Sequence, residues 1–223
     1  MSRRISWLFV VSLSVAGWVC ASPPSVTQNG LACVGRKSNA RITAHVEGNP
    51  ASVRVYFRQA GDPCGDYYVD MRPSPQDASL YSAVLPLVAP DATAITYQVK
   101  VFGAGAKEID AEPMTVLVSD NCAAPPLSPE DLRAAKTIAL GLTKATQHAV
   151  PCHFKCDGVS SVITASGELK PNDECRLLLA GKLKPWYLTP AALAMAGAGA
   201  VGAGVLVLNP SNGPSTPPSP ARP

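Results

Sequence analysis

Four side chains that can bind a metal or form disulfides lie near one another in the second half of the chain: Cys152, His153, Cys156 and Cys175. Tetrahedral zinc takes four ligands of these types. Their spacing argues against zinc, because Cys-x-x-x-Cys followed by a single cysteine lacks the paired cysteines of structural zinc motifs. The haem-attachment motif Cys-x-x-Cys-His is also absent from the sequence. We therefore expect no metal and no cofactor in this region.

The sequence offers equally little to a catalytic mechanism. It contains no Gly-x-Ser-x-Gly, no His-Glu-x-x-His and no phosphate-binding loop. His45, His148 and His153 have no neighbouring nucleophile in the sequence that would make them general bases. The pattern predicts a protein that is not an enzyme. The alternative is an envelope enzyme, or a thiol-redox or metal protein that uses the cluster Cys152, Cys156 and Cys175.

The N-terminus has the features of an export signal. Arg3 and Arg4 precede an uncharged run, and Val19-Cys20-Ala21 follows it, which predicts a signal peptide over residues 1–21 with cleavage after Ala21. A lipoprotein acylated at Cys20 is disfavoured, because Trp18 and Val19 are bulky. Removing the two arginines of the leader lowers the formal net charge from +3 to +1. Nucleic acid is not expected as a partner, because its binding needs a clustered basic excess.

The C-terminal part of the chain predicts a membrane anchor. Residues 188–208 carry no charge, and 21 helical residues extend about 30 Å, the thickness of the hydrocarbon core. Trp186 and Tyr187 suit the lipid interface, so we expect a transmembrane helix over 186–208 and a disordered, proline-rich tail over 209–223. The alternative is a flexible Ala/Gly linker. Small residues at every fourth position of the predicted helix, from Ala194 to Gly202, would permit helix-mediated self-association.

Between these termini, apolar and polar residues alternate in short segments separated by Gly, Pro, Asn and Asp, which predicts strands. The segments begin near Arg41, Ser52, Tyr67, Leu80, Ile95 and Met114. Each has one apolar face, so two packed antiparallel sheets are expected. Ser128-Pro129 indicates the start of a helix. That helix could continue to about Leu140, although residues 137–143 could equally form a strand, and residues 158–165 suggest another strand.

Four of these segments resemble the strands of bacterial extracytoplasmic immunoglobulin-like or fibronectin type III-like domains. They are residues 53–58, 67–71, 81–86 and 95–101, and the similarity extends over about residues 24–120. The resemblance implies an all-β fold with a β-sandwich over 22–122. The cysteine-containing segment 123–185 outside it is predicted to be a small disulfide-linked extension. Tyr97 is similar to a tyrosine that anchors a loop in this family. The immunoglobulin Cys, Trp, Cys signature is absent, which favours the fibronectin-like form.

The six cysteines left after signal cleavage are even in number, as expected for a disulfide framework in an exported chain. They are Cys33, Cys64, Cys122, Cys152, Cys156 and Cys175. In the expected sandwich the first three lie at the same end. We therefore expect Cys33 to pair with Cys122 or with Cys64, and another disulfide to join the sandwich to the extension, which would rest on that end.

Arginine and aromatic side chains concentrate on one face of the expected sandwich, where strands 52–58, 66–72 and 94–102 would lie side by side. The predicted binding face comprises Arg54, Tyr56, Arg58, Tyr68, Arg72 and Lys100. Such side chains concentrate interface energy. The competing interpretation is that they only cover one another on an exposed sheet. The sequence thus predicts a membrane-tethered module of the cell envelope that binds or scaffolds a protein or glycan partner on the extracytoplasmic side.

Overall fold

The computed structural model describes residues 25–61, 64–103, 107–123, 125–146 and 148–183. The predicted signal peptide, the predicted transmembrane helix over 186–208 and the predicted tail lie outside these residues. Within the described ranges, no helix is long and apolar enough to cross a membrane.

The described residues form a mostly β fold with two short helices. The strands are β1 (Ser25–Gln28), β2 (Val34–Gly35), β3 (Arg41–Glu47), β4 (Ser52–Gln59), β5 (Tyr67–Asp70), β6 (Arg72–Pro73), β7 (Leu80–Val84), β8 (Ala94–Phe102), β9 (Glu108–Asp110), β10 (Met114–Ser119), β11 (Ile138–Leu142), β12 (Val159–Ile163) and β13 (Leu169–Pro171). The helices are α1 (Pro129–Ala134) and α2 (Asp173–Leu179).

The strands form a small sheet and a large sheet. The small sheet has the antiparallel order β1-β3-β7-β6. The large sheet has the order β13-β12-β11-β5-β4-β8-β10-β2, and β9 pairs with β8. Its parallel pairs are β10 with β2 and β11 with β12. The alternation predicted along β3, β4 and β8 is confirmed, because every second side chain of these strands is buried.

One predicted strand is divided between the two sheets. The strand expected over 66–72 leaves the large sheet after Asp70, and Arg72 pairs with Ser82 on β7 of the small sheet. Pro73 accounts for the change, because a residue without an N–H cannot continue in the interior of a sheet. It is tolerated at an edge, and β6 is an edge strand of the small sheet. The placement of Arg72 beside Arg54 on the predicted binding face is therefore wrong.

The extension continues the large sheet, which differs from the expected appendage at the end of the sandwich. α1 ends at Ala134, and β11 follows and pairs antiparallel with β5, so a helix reaching Leu140 is wrong and the strand alternative is confirmed. The strand expected near residues 158–165 is also confirmed, as β12. Ile138 and Leu140 on β11 are buried. Burial of these two side chains favours a strand over continued helix, since their spacing of two matches the pleat.

The loop before β2 is held by Tyr97. The Tyr97 hydroxyl accepts a hydrogen bond from the Leu31 N–H (3.1 Å) and donates one to the Asn29 carbonyl (3.3 Å). The ring itself is buried on β8, and burial raises the pKa of its hydroxyl. A tyrosine thus anchors a loop at the position where the resemblance implied one.

Candidate binding surfaces

All six cysteines of the described residues are paired. The disulfides are Cys33–Cys122, Cys64–Cys152 and Cys156–Cys175, with Cα atoms 5.7, 6.3 and 5.2 Å apart. Of the two pairings left open for Cys33, the structure has the one with Cys122, and Cys64–Cys152 joins the extension to the strands before it. The cysteine cluster considered for redox or metal chemistry is divided between two disulfides. Among the described residues no group of three or more His, Cys, Asp or Glu side chains could hold a metal ion.

His153 lies beside one of these disulfides and has a structural role. It is the only non-glycine residue with positive φ among the described residues, at 59°. Its Nδ1 is 2.7 Å from a carboxylate oxygen of Asp91, and its carbonyl accepts a hydrogen bond from the Ala89 N–H (2.8 Å). Phe154 forms a β-bridge with Val88. These contacts fasten the turn that carries Cys152 to the segment 87–91.

Four members of the predicted binding face do lie together, on the adjacent strands β5, β4 and β8, and we call them the Arg–Tyr face: Arg54, Tyr56, Tyr68 and Lys100. Their side chains cover one another. The Arg54 guanidinium is 4.6 Å from the centre of the Tyr68 ring, and Lys100 Nζ is 5.3 Å from that of Tyr56. The two tyrosine rings are 5.4 Å apart. These are the distances of cation–π and aromatic pairs.

The two cations of the Arg–Tyr face are also ion-paired with carboxylates. Arg54 Nε lies 3.0 Å from Asp70 Oδ1. Lys100 Nζ contacts both Glu108 (2.6 Å) and Asp110 (3.1 Å) on β9. Burial lowers the pKa of each cation, but the hydrogen bonds to these carboxylates outweigh it, and the pKa of both Arg54 and Lys100 is raised. Little of their charge is left to attract a partner.

Tyr68 is covered from the extension, which the sequence did not indicate. It is 5% exposed, because β11 pairs alongside β5 and places Gly141 opposite it. A Cβ atom on Gly141 would lie 2.2 Å from the Tyr68 ring, so the ring occupies the space of the missing side chain. Burial accordingly raises the pKa of the Tyr68 hydroxyl. The two other predicted residues are apart from this packing: Arg58 is exposed and pairs with Asp66 (3.5 Å), and Arg72 is on the small sheet.

A concavity lies where β5 gives way to β6, and we call it the α1–β6 cleft. Its volume is about 560 Å³. The end of β5, strand β6 with the turn after it, and part of β7 form one side, and α1 with the start of β11 forms the other. Three arginines line it: Arg41, Arg72 and Arg133. Its volume is within the range of small-ligand sites.

The α1 wall of the cleft is fixed by polar contacts. Ser128 caps the helix: its hydroxyl accepts a hydrogen bond from the Asp131 N–H (3.1 Å), and the Asp131 carboxylate accepts from Ser128 in return. Arg41 Nε on β3 is 3.2 Å from the same carboxylate, which is largely buried. This ion pair joins the helix to the small sheet, so both sides of the cleft are held in place.

The β6 wall offers no free strand edge that could take up a peptide strand by N–H donation. The Ser74 N–H donates a hydrogen bond to the Leu80 carbonyl (2.7 Å). Counting from Ser74, every second residue of this segment therefore points its N–H toward β7. Pro73 and Pro75 occupy the alternate positions, whose amides would face away from β7. Proline has no N–H, so this edge is blocked. Pro73 and Pro75 therefore offer a ligand no backbone N–H.

Two arginines of the cleft are open to solvent. Arg72 and Arg133 are exposed, and neither forms an ion pair with any residue that the structure describes. Glu130 also lines the cleft, whereas Asp70 and Asp131 are engaged by Arg54 and Arg41. The sequence carries no signal for Arg133, because only the fold brings α1 opposite β6. Its guanidinium and that of Arg72 suit an anionic group.

No protein-family model matches this chain, and a search of curated proteins finds no match to it.

Proposed function

We propose that this protein is a binding module on the extracytoplasmic side of a membrane, tethered by residues 186–208, that takes a carboxylate-bearing protein or glycan partner in the α1–β6 cleft. The observation that carries the proposal is the pair of exposed arginines, Arg72 and Arg133, on a cleft with fixed walls. Arginine binds carboxylates through paired N–H groups.

The finer features of the proposal have separate support. The three disulfides favour an oxidising compartment, and hence export. Two sheets with alternately buried strands favour an immunoglobulin-like or fibronectin-like β-sandwich, in which the buried faces pack on each other. The uncharged segment 188–208 favours the tether.

The proposal moves the binding site away from the Arg–Tyr face. There each cation already lies against a ring and a carboxylate, so an acidic partner would have to displace contacts within the protein. In the cleft, an acidic partner would meet two guanidinium groups with their hydrogen-bonding capacity unused within the described residues. Serine and glutamine side chains of the cleft supply further polar contacts: Ser74, Gln76 and Ser82.

Charge reversal tests the proposal. We would immobilise the mature protein and measure binding of two acidic probes, an oligoglutamate peptide and an oligogalacturonate. The variant Arg72→Glu/Arg133→Glu should bind at least about tenfold more weakly, because two attractive charges become repulsive. Arg58→Glu is the matched control, since Arg58 is an exposed arginine outside the cleft, and it should remain within about twofold of wild type. Equal binding by the double variant and the wild type would contradict the proposal.

A further inference from the structure

Exposed leucines are concentrated at the end of the described chain. Of the six large apolar side chains that are exposed among the described residues, four lie between 169 and 183. They are Leu169 (64% exposed), Leu177 (37%), Leu179 (62%) and Leu183 (44%). Three of them, Leu177, Leu179 and Leu183, lie within seven residues of one another, which makes this segment a candidate interaction surface.

Two exposed basic residues, Arg176 and Lys182, lie among these leucines. Arg176 is paired with Asp173 in the first turn of α2 (2.9 Å), whereas Lys182 forms no ion pair with any residue that the structure describes. Exposed leucines beside an unpaired lysine suit the interface of an anionic bilayer.

Helix α2, which carries two of these leucines, is fastened to the fold through Cys175 and its N-cap residue, Asn172. Cys175 is fully buried and is bonded to Cys156. The buried Asn172 side chain accepts a hydrogen bond from the Cys175 N–H (3.0 Å) and donates one to the Ala149 carbonyl (2.9 Å). Leu177 and Leu179 are therefore held at the surface by a rigid support.

The helix also ends at a defined point. The Gly181 N–H donates to the Leu178 carbonyl and the Lys182 N–H to the Leu177 carbonyl, each at 2.9 Å, and Gly181 has a φ of 69°. This is the Schellman pattern, which stops a helix. Only five residues then lead from Gly181 to Trp186, and a fully extended chain covers at most about 18 Å over that length. A tether that enters the bilayer at Trp186 keeps the end of α2 close to the lipid surface.

We propose that the segment Leu177–Leu183 rests on the surface of the bilayer in which residues 186–208 are anchored. Leu179 and Leu183 enter the headgroup region, and Lys182 lies against anionic lipid headgroups. The inference rests on the proposed tether, and it adds that the domain is held against the membrane at this end instead of hanging free from a linker.

Tryptophan fluorescence separates the docking from the tether. Once residues 1–21 are removed, Trp186 is the only tryptophan of the chain. The mature full-length protein would be reconstituted in vesicles of equal phosphatidylcholine and phosphatidylglycerol, with lipids brominated near the headgroup as quenchers. Wild type reports on Trp186. The variants Leu179→Trp/Trp186→Phe and Leu183→Trp/Trp186→Phe report on the docked segment.

The control probe is Leu117→Trp/Trp186→Phe. Leu117 is 69% exposed on β10, six strands from β13 in the large sheet, or about 29 Å at the usual strand spacing. We expect bromolipid to reduce the fluorescence at positions 179 and 183 by at least about half, and that of the control by less than about a tenth. With phosphatidylcholine alone, quenching at 179 and 183 should fall severalfold.

Three other results would overturn the inference, and each has a distinct fluorescence signature. Quenching of Trp186 without quenching at 179 and 183 would leave the tether in place and exclude docking. A blue-shifted but unquenched signal at 179 would mean that a second copy of the chain covers the leucines. Absence of quenching at Trp186 itself would remove the tether, and with it the inference.

Discussion

The Arg–Tyr face and the α1–β6 cleft contain the same kind of cation in opposite situations. On the face, Arg54 and Lys100 lie over tyrosine rings and against carboxylates supplied by the neighbouring strands. In the cleft, Arg72 and Arg133 are exposed and have no ion-pair partner among the described residues. An arginine is thus available to a partner only where the fold provides no carboxylate or ring beside it. The face should therefore serve stability and the cleft should serve binding.

The largest expected effect concerns Tyr68 on the face. Tyr68→Ala should lower the free energy of unfolding by about 2–4 kcal/mol, because it removes a buried ring and leaves Gly141 uncovered. Urea denaturation would measure the change. Tyr68→Phe is the control and should lie within about 1 kcal/mol of wild type, since the ring is retained. A small effect of Tyr68→Ala would mean that the face is not structural.

The next effect tests the contact between Tyr68 and the extension directly. Gly141→Ala should destabilise by about 1–3 kcal/mol, because the new methyl group would overlap the ring. In the Tyr68→Ala background the same substitution should cost about 0.5 kcal/mol or less, because the ring is gone. Chemical denaturation of the four proteins gives this coupling. Additive costs would show that the two residues are not packed together.

A smaller effect is expected at Lys100. Lys100→Ala should lower the free energy of unfolding by about 1 kcal/mol, since it removes a half-buried cation from two carboxylates and a ring. The folded-state pKa of Lys100 is raised, so its contribution is complete below the unfolded pKa and is lost as pH rises through the folded pKa. The stability difference between wild type and Lys100→Ala should shrink above about pH 10. A difference that grows with pH would contradict this assignment.

The smallest effect is expected in the cleft. Arg72→Ala and Arg133→Ala should each change the free energy of unfolding by less than about 0.5 kcal/mol, because both side chains are exposed and have no ion pair to lose within the described residues. Thermal unfolding monitored by circular dichroism would measure this. A loss comparable with that of Lys100→Ala would mean that the cleft arginines are structural as well.

The parts of this fold that follow from the sequence are those encoded locally. Alternation along β3, β4 and β8 could be predicted, because each strand buries its own apolar side chains with a period of two. The helix start at Ser128 was predictable for the same reason, since a capping box involves neighbours in the chain.

The features that decide the two surfaces are not local. Pairing of β11 with β5, and so the burial of Tyr68 over Gly141, joins residues more than seventy positions apart. The transfer of Arg72 to the small sheet depends on Pro73, whose effect could have been anticipated from its missing N–H. Arg133 lines the cleft only because α1 lies opposite β6, and no sequence pattern within α1 predicts that arrangement.

Side-chain NMR of the arginines would show which surface binds an acidic partner, because both surfaces are observed in one sample. The Nε–Hε resonances of the mature protein in detergent micelles would be recorded while the oligoglutamate peptide or the oligogalacturonate is added. We expect the Arg72 and Arg133 resonances to shift in a saturable manner, and the Arg54 resonance to stay unchanged because Asp70 already holds its guanidinium. Saturable shifts of Arg54 with Arg72 and Arg133 unchanged would contradict the account and return the binding site to the Arg–Tyr face.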